Sequence, residues 1–192
     1  VDALPTEWLA GHEPLLMVGA LAHHSGRQYE KARKYLDVLV ARYPRNLGAR
    51  KLLASIYVET GEHPRAVSLL EHVLRVQPDD PQALHLLGKV YLSQKRYAKA
   101  SELLEKAAQS GDPRIQASLG FSRLGRGDTA AALKSLQIAF DRNLGDLTVA
   151  AALANTLMRE GDTKKALDVA RRASVAQPGN PAAQGHQADQ TR

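Results

Sequence analysis

From Pro14 to Ala176 the apolar residues fall mostly three or four positions apart, the spacing of one face of a helix. Alternating runs rich in Val, Ile and Thr, which would mark strands, are absent. The helical stretches are punctuated in two ways. One is a glycine in a short polar gap, as at Gly26, Gly61, Gly127 and Gly161. The other is proline, which cannot continue a helix: "QPDDP" (77–81) and "QPGNP" (177–181) repeat the same stop-and-restart signal 100 residues apart. A loop built for one chemical task has no reason to recur, whereas a structural unit does.

Sliding the chain against itself gives five units, 12–46, 47–80, 81–112, 113–146 and 147–180, of 35, 34, 32, 34 and 34 residues. Column twenty is Ala32, Ala66, Ala100, Ala132 and Ala166, with one residue counted as inserted just after Gly26. Column eight is Gly19, Ala54, Gly88, Gly120 and Ala154. Column twenty-four is Leu36, Leu70, Leu104, Leu136 and Ala170. Column fifteen is Gly26, Gly61, Lys95, Gly127 and Gly161, where a residue of positive φ would close a first helix. Each unit therefore predicts a helix, a short turn and a second helix. The small residues of columns eight and twenty leave room for the two axes to approach closely. Pro14, Pro81, Pro113, Pro181 and, in a second helix, Pro64 fall in first helical turns, where a missing N–H is harmless. "GDT" at 127–129 and 161–163 reads as turn plus N-cap.

This pattern resembles the tetratricopeptide repeat across residues 12 to 180. The family's first-helix Trp is replaced by Leu15, Arg50, Leu84, Gln116 and Ala150, and Arg123 stands where units two and three have Tyr57 and Tyr91. The resemblance implies an all-α fold, a right-handed superhelical solenoid of five helix-turn-helix repeats whose first helices line a concave groove. Groove columns two, five, nine, twelve and thirteen supply Leu16, His23, Lys51, Ser55, Val58, Glu59, His85, Lys89, Leu92, Arg114, Phe121, Leu124, Asn155, Met158 and Arg159. Leu92, Phe121, Leu124 and Met158 are the expected apolar anchors for a protein or peptide segment, and Lys51, Lys89, Arg114 and Arg159 the cations for its acidic groups. One subfamily grips chaperone C-termini through a two-carboxylate clamp. Leu16, Ala20, Leu52, Ser55 and Leu86 occupy positions where that clamp needs Lys or Asn, so such binding is not expected.

Composition narrows the chemistry. No cysteine occurs, which removes disulfides, thiolate zinc sites and a Cys nucleophile. No apolar run reaches membrane-spanning length. The net charge of +6 would suit an acidic polysaccharide or nucleic acid, which is the alternative partner class, but the cations are spread along the chain without interleaved aromatics. His23 and His24 are adjacent and point about 100° apart on a helix, so no metal site is expected. No nucleophile–base pair or phosphate loop emerges, so neither catalysis nor a cofactor is expected. Arg126-Gly127-Asp128 spells an adhesion tripeptide but falls at a repeat turn.

The ends and the finer resemblance complete the expectations. Residues 1–11, with the only tryptophan, Trp8, read as an N-terminal segment or cap. Residues 181–192 read as a truncated sixth unit that fails at Gly185 and Gln187 and becomes a disordered tail. Since the chain begins at Val1 and shows no polar capping helix, it is expected to be a processed piece of a longer array or to bury its last face in a homo-oligomer. "ARKLLASIYVETGEHPRAVSLLEHVL" (49–74), "GKVYLSQKRYAKASELLEKAA" (88–108) and "LGFSRLGRGDTAAALKSLQIAF" (119–140) resemble the long tetratricopeptide (lipo)proteins of bacterial exosortase (PEP-CTERM) and exopolysaccharide systems. That resemblance implies a scaffold of the Gram-negative periplasm or envelope.

Overall fold

A computed structural model describes residues 11–176; the expected N-terminal cap with Trp8 and the truncated sixth unit lie outside the described residues. The fold is all-α, with no strand among the described residues. Ten α-helices follow in order: α1 (Glu13–Ser25), α2 (Tyr29–Arg42), α3 (Leu47–Glu59), α4 (His63–Val76), α5 (Pro81–Ser93), α6 (Tyr97–Ala107), α7 (Pro113–Arg126), α8 (Thr129–Arg142), α9 (Leu147–Arg159) and α10 (Thr163–Val175). A 3-10 turn, Ala108–Ser110, ends the third pair, which is two residues short. By packing, the chain divides into two compact units, up to Val90 and from Tyr91, and the division falls inside α5.

Every first helix ends in the same way. The amide five residues after a fixed position donates back to its carbonyl: Gln28 to His23, Glu62 to Tyr57, Arg96 to Tyr91, Asp128 to Arg123 and Asp162 to Leu157, all at 2.8–2.9 Å. The residue before each of these donors is left-handed, with φ between 54° and 84°: Arg27, Gly61, Lys95, Gly127 and Gly161. Its own amide bonds the next carbonyl along, as from Gly61 to Val58 and from Gly161 to Met158. This is the Schellman closure, which satisfies carbonyls the helix end would otherwise orphan.

That closure corrects the register of the first unit. Gly26 has φ −80° and is not the left-handed residue; Arg27 is. Helices α1 and α3 start at 13 and 47 and end at 25 and 59, so no residue is inserted and the first unit starts at Glu13. Ala20, not Gly19, then holds column eight, and it is fully buried like Ala54. Gly19 makes a different close approach: a Cβ there would lie 2.9 Å from the Tyr35 ring. Likewise Leu16 and His23 are buried in the core and are not groove residues. Aligning the unit on its only turn glycine had moved α1 by one position.

The starts of α3, α5, α7 and α9, and of the second helices α8 and α10, are held by side-chain caps. Asn46, Asp80, Asp112 and Asp146 each accept an amide from the first turn of the helix that follows, at 2.8–3.0 Å. Asp128 and Asp162, the acids of the two "GDT" turns, cap α8 and α10 through Ala131 and Lys165. Each such cap is worth about 1 kcal/mol.

Inside each pair, the column-twenty alanines Ala32, Ala66, Ala100, Ala132 and Ala166 are buried, as are Gly88 and Gly120. A Cβ on Gly120 would come 2.7 Å from Leu136, so α7 and α8 cross too closely for any larger residue there. Ala154 is only half-buried, and column twenty-four of its unit is the exposed Ala170 instead of a buried leucine. The core of the first compact unit is built on Leu36, Leu39, Ile56, Leu70 and Val73. That of the second is built on Leu136, Phe140, Leu153, Leu157 and Val169. Each fully buried Leu, Ile or Phe contributes about 1.5–3 kcal/mol, so these columns outweigh the caps.

Candidate functional site

The expected groove residues fall on first helices in both compact units. In the first, Lys51, Ser55, His85 and Lys89 are half-buried. Lys51 Nζ lies 2.7 Å from the Asp80 carboxylate, whose other oxygen caps α5. Lys89 Nζ pairs with Glu59 at 3.1 Å, so two expected groove positions, Lys89 and Glu59, neutralise each other. The Ser55 hydroxyl donates to the Leu52 carbonyl at 2.7 Å and lies 3.4 Å from His24 Nε2. The polar atoms of this face are therefore largely spoken for within the chain.

The face of the second unit has a different character. Arg114 is exposed, yet it forks onto Asp112, with Nη2 2.6 Å from the carboxylate. The hydrogen bond and charge of Asp112 raise the Arg114 pKa above its ordinary value. Phe121 and Leu124, one turn apart on α7, are half-buried and pack on the core cluster of α8, α9 and α10, leaving part of each apolar surface open. Leu92 is half-buried on α5, while Asn155, Met158 and Arg159 are exposed on α9. Leu124 and Met158 occupy the same column of successive first helices. Arg159 has no carboxylate partner among the described residues.

Two features escaped sequence reasoning. Gly125, in groove column thirteen, lies under the Tyr97 ring, and the ring occupies the place a Cβ would take. Arg123, which replaces the tyrosine of Tyr57 and Tyr91, donates to Ser135 Oγ at 2.8 Å and to Glu105 at 3.0 Å, tying α6, α7 and α8 together. By contrast, the two tyrosines carry stacked cations: Arg33 and Arg65 lie over Tyr57, Arg96 over Tyr91.

Among the described residues no group of His, Asp and Glu side chains is placed to hold a metal ion, and no helix is long and apolar enough to cross a membrane. His23 stacks on Tyr35 and its Nδ1 lies 3.0 Å from Gln28 Oε1, so it acts as a packing residue.

The paired helices, the shared closure and the small-residue crossings define a helical repeat protein of the scaffold class. Tetratricopeptide-repeat family models match residues 25–90, 61–120 and 119–181, and the chain belongs to that family. Among solved structures, MamA (41-end) of Desulfovibrio magneticus RS-1 superposes with TM-score 0.70 at 20% identity, covering 85% of this chain and 94% of that one. The pilF protein of Pseudomonas aeruginosa gives TM-score 0.77 at 21% identity, over 88% of this chain and 78% of that one. These likenesses concern the fold. A human protein, the O-mannosyl-transferase TMTC1, is 27% identical over 113 residues, which span 58% of this chain but 13% of that protein. Repeats of this class generally serve as protein-interaction scaffolds.

Proposed function

We propose that the chain is a non-enzymatic scaffold that holds an apolar-anchored segment of a partner protein on the first-helix face of its second compact unit, in bacterial exopolysaccharide and protein-sorting machinery of the cell envelope. The observation that carries this reading is the pairing of Phe121 with Leu124 on α7, half-open to solvent and backed by a rigid core. An anchor needs apolar surface on a support that does not yield, and this is the arrangement in which a few side chains hold most of an interface. The envelope setting rests on the phrase "LG-S-RL--GDT" of residues 119–129, which resembles exosortase-associated repeat proteins. Binding of an acidic polymer is the weaker reading, since Lys51, Lys89 and Arg114 already hold carboxylates of their own chain.

A photo-crosslinkable residue at Asn155, beside the proposed anchor site, should capture envelope proteins of exopolysaccharide assembly in cells. Phe121→Ala should weaken capture of that partner about tenfold, the effect of losing roughly 1.4 kcal/mol, with little change as salt rises from 0.05 to 0.5 M. A steep fall with salt and indifference to Phe121→Ala would instead assign the surface to a polyanion.

A further inference from the structure

Within each compact unit one contact between successive repeats recurs, and among the described residues α1 and α10 each leave one half of that contact exposed. On first helices, column three (Ala49, Ala83, Ile115, Val149) and column ten (Ile56, Val90, Ser122, Thr156) are buried throughout. The preceding second helix lies against them: α2 packs on α3, α6 on α7 and α8 on α9. In the corrected register the same two columns of α1 are Leu15 and Ala22. Leu15 is 40% exposed and Val18, between them on the same row, is 53% exposed. This row runs i, i+3, i+7 and forms one continuous apolar face.

The complementary half is open on α10. Column twenty-four is buried as Leu36, Leu70, Leu104 and Leu136 but exposed as Ala170. Column twenty-one is buried or half-buried as Arg33, Val67, Ser101 and Leu133, whereas Leu167 is 66% exposed. Inside the chain a leucine of column twenty-four precedes Ala49 or Ala83 in the earlier repeats and Ile115 or Val149 in the later ones; Ala170 set before Leu15 keeps one large and one small partner, as in the earlier repeats. Helix α1 carries a single formal charge, Glu13, so covering it desolvates few ions.

We infer that the apolar row of α1 in one copy of this chain seats on the Leu167–Ala170 face of α10 in a second copy, so that the copies join head to tail through a replica of the internal repeat contact. This is a heterologous interface, in which each copy keeps one donor face and one acceptor face. It predicts an asymmetry that an α1-on-α1 dimer lacks.

The test uses the full chain in sedimentation velocity and light scattering across about 1–500 µM. Wild type should grow from monomer to dimer and larger with concentration. Val18→Glu and Leu167→Glu should each stay monomeric while keeping the wild-type circular dichroism and melting temperature, since both side chains are more than half exposed. Mixed together, the two variants should form a one-to-one pair and nothing larger, because each retains the half the other lacks. Should either glutamate unfold the chain, Val18→Ser and Leu167→Ser repeat the experiment with smaller perturbation. A wild type that stays monomeric throughout, a variant that associates normally, or a mixture that fails to pair each overturns the inference.

Discussion

Lys95 pays a backbone cost that three of its column-mates avoid, and the size of that cost can be measured. At φ 58° it holds the left-handed closure that Gly61, Gly127 and Gly161 hold at 78–84°. Left-handed backbone costs an L-residue about 1–2 kcal/mol through contact of Cβ with the carbonyl. Glycine escapes this but brings about 0.5–1 kcal/mol of extra freedom to the unfolded chain. Lys95→Gly should therefore stabilise the protein by about 0.5–1 kcal/mol, or about 1–4 °C in Tm for a chain of this size. The converse change is clean, because a Cβ on Gly127 meets nothing within 4 Å. Gly127→Ala should thus lose about the same amount through backbone alone. Lys95→Ala keeps the Cβ and removes the ammonium, so its melt should match wild type. Circular-dichroism melts and urea midpoints of all three variants check the scheme. A lower Tm for Lys95→Gly, or no loss for Gly127→Ala, would refute the assignment of strain to this position.

Two further outcomes follow from the second compact unit. The buried hydroxyls of Ser101 and Ser122 lie 2.9 Å apart, and Ser122 also donates to the Leu119 carbonyl. Ser122→Ala should cost about 1–3 kcal/mol by stranding Ser101, while the double alanine variant should lose less than the sum of the singles in urea titrations. Burial pushes the Asp141 carboxyl up, but hydrogen bonds from Gln137 and Arg172 outweigh it and hold its pKa below the ordinary carboxylate value. A depressed folded pKa stabilises above the unfolded value and is lost as pH falls through the folded one. Between pH 5 and pH 2 the Tm of wild type should drop further than that of Asp141→Asn.

The paired-helix fold was legible because its signals are redundant: five alanines in one column, apolar spacing on both sides, and proline at first turns all point the same way. The register of the first unit was not, because the alignment leaned on residue type. Arg27 and Lys95 show that a left-handed closure is imposed by the helices on either side, with glycine only the cheaper occupant. The candidate face was half legible. Apolar positions such as Phe121 and Leu124 could be placed from periodicity. The partners of the cations could not, since Lys51 reaches Asp80, Lys89 reaches Glu59 and Arg172 reaches Asp141. Each pair is separated by 29 to 31 positions. A search for opposite charges one repeat apart would have found all three.

Tyr97 parked over Gly125 has a lasting implication for how this surface can diversify. Every residue except glycine would evict the ring, so on the proposed binding face this site is closed to the substitutions that would retune it for new targets. Selectivity can drift through the neighbouring side chains, but one letter in the recognition alphabet has been given up to hold α6 against α7.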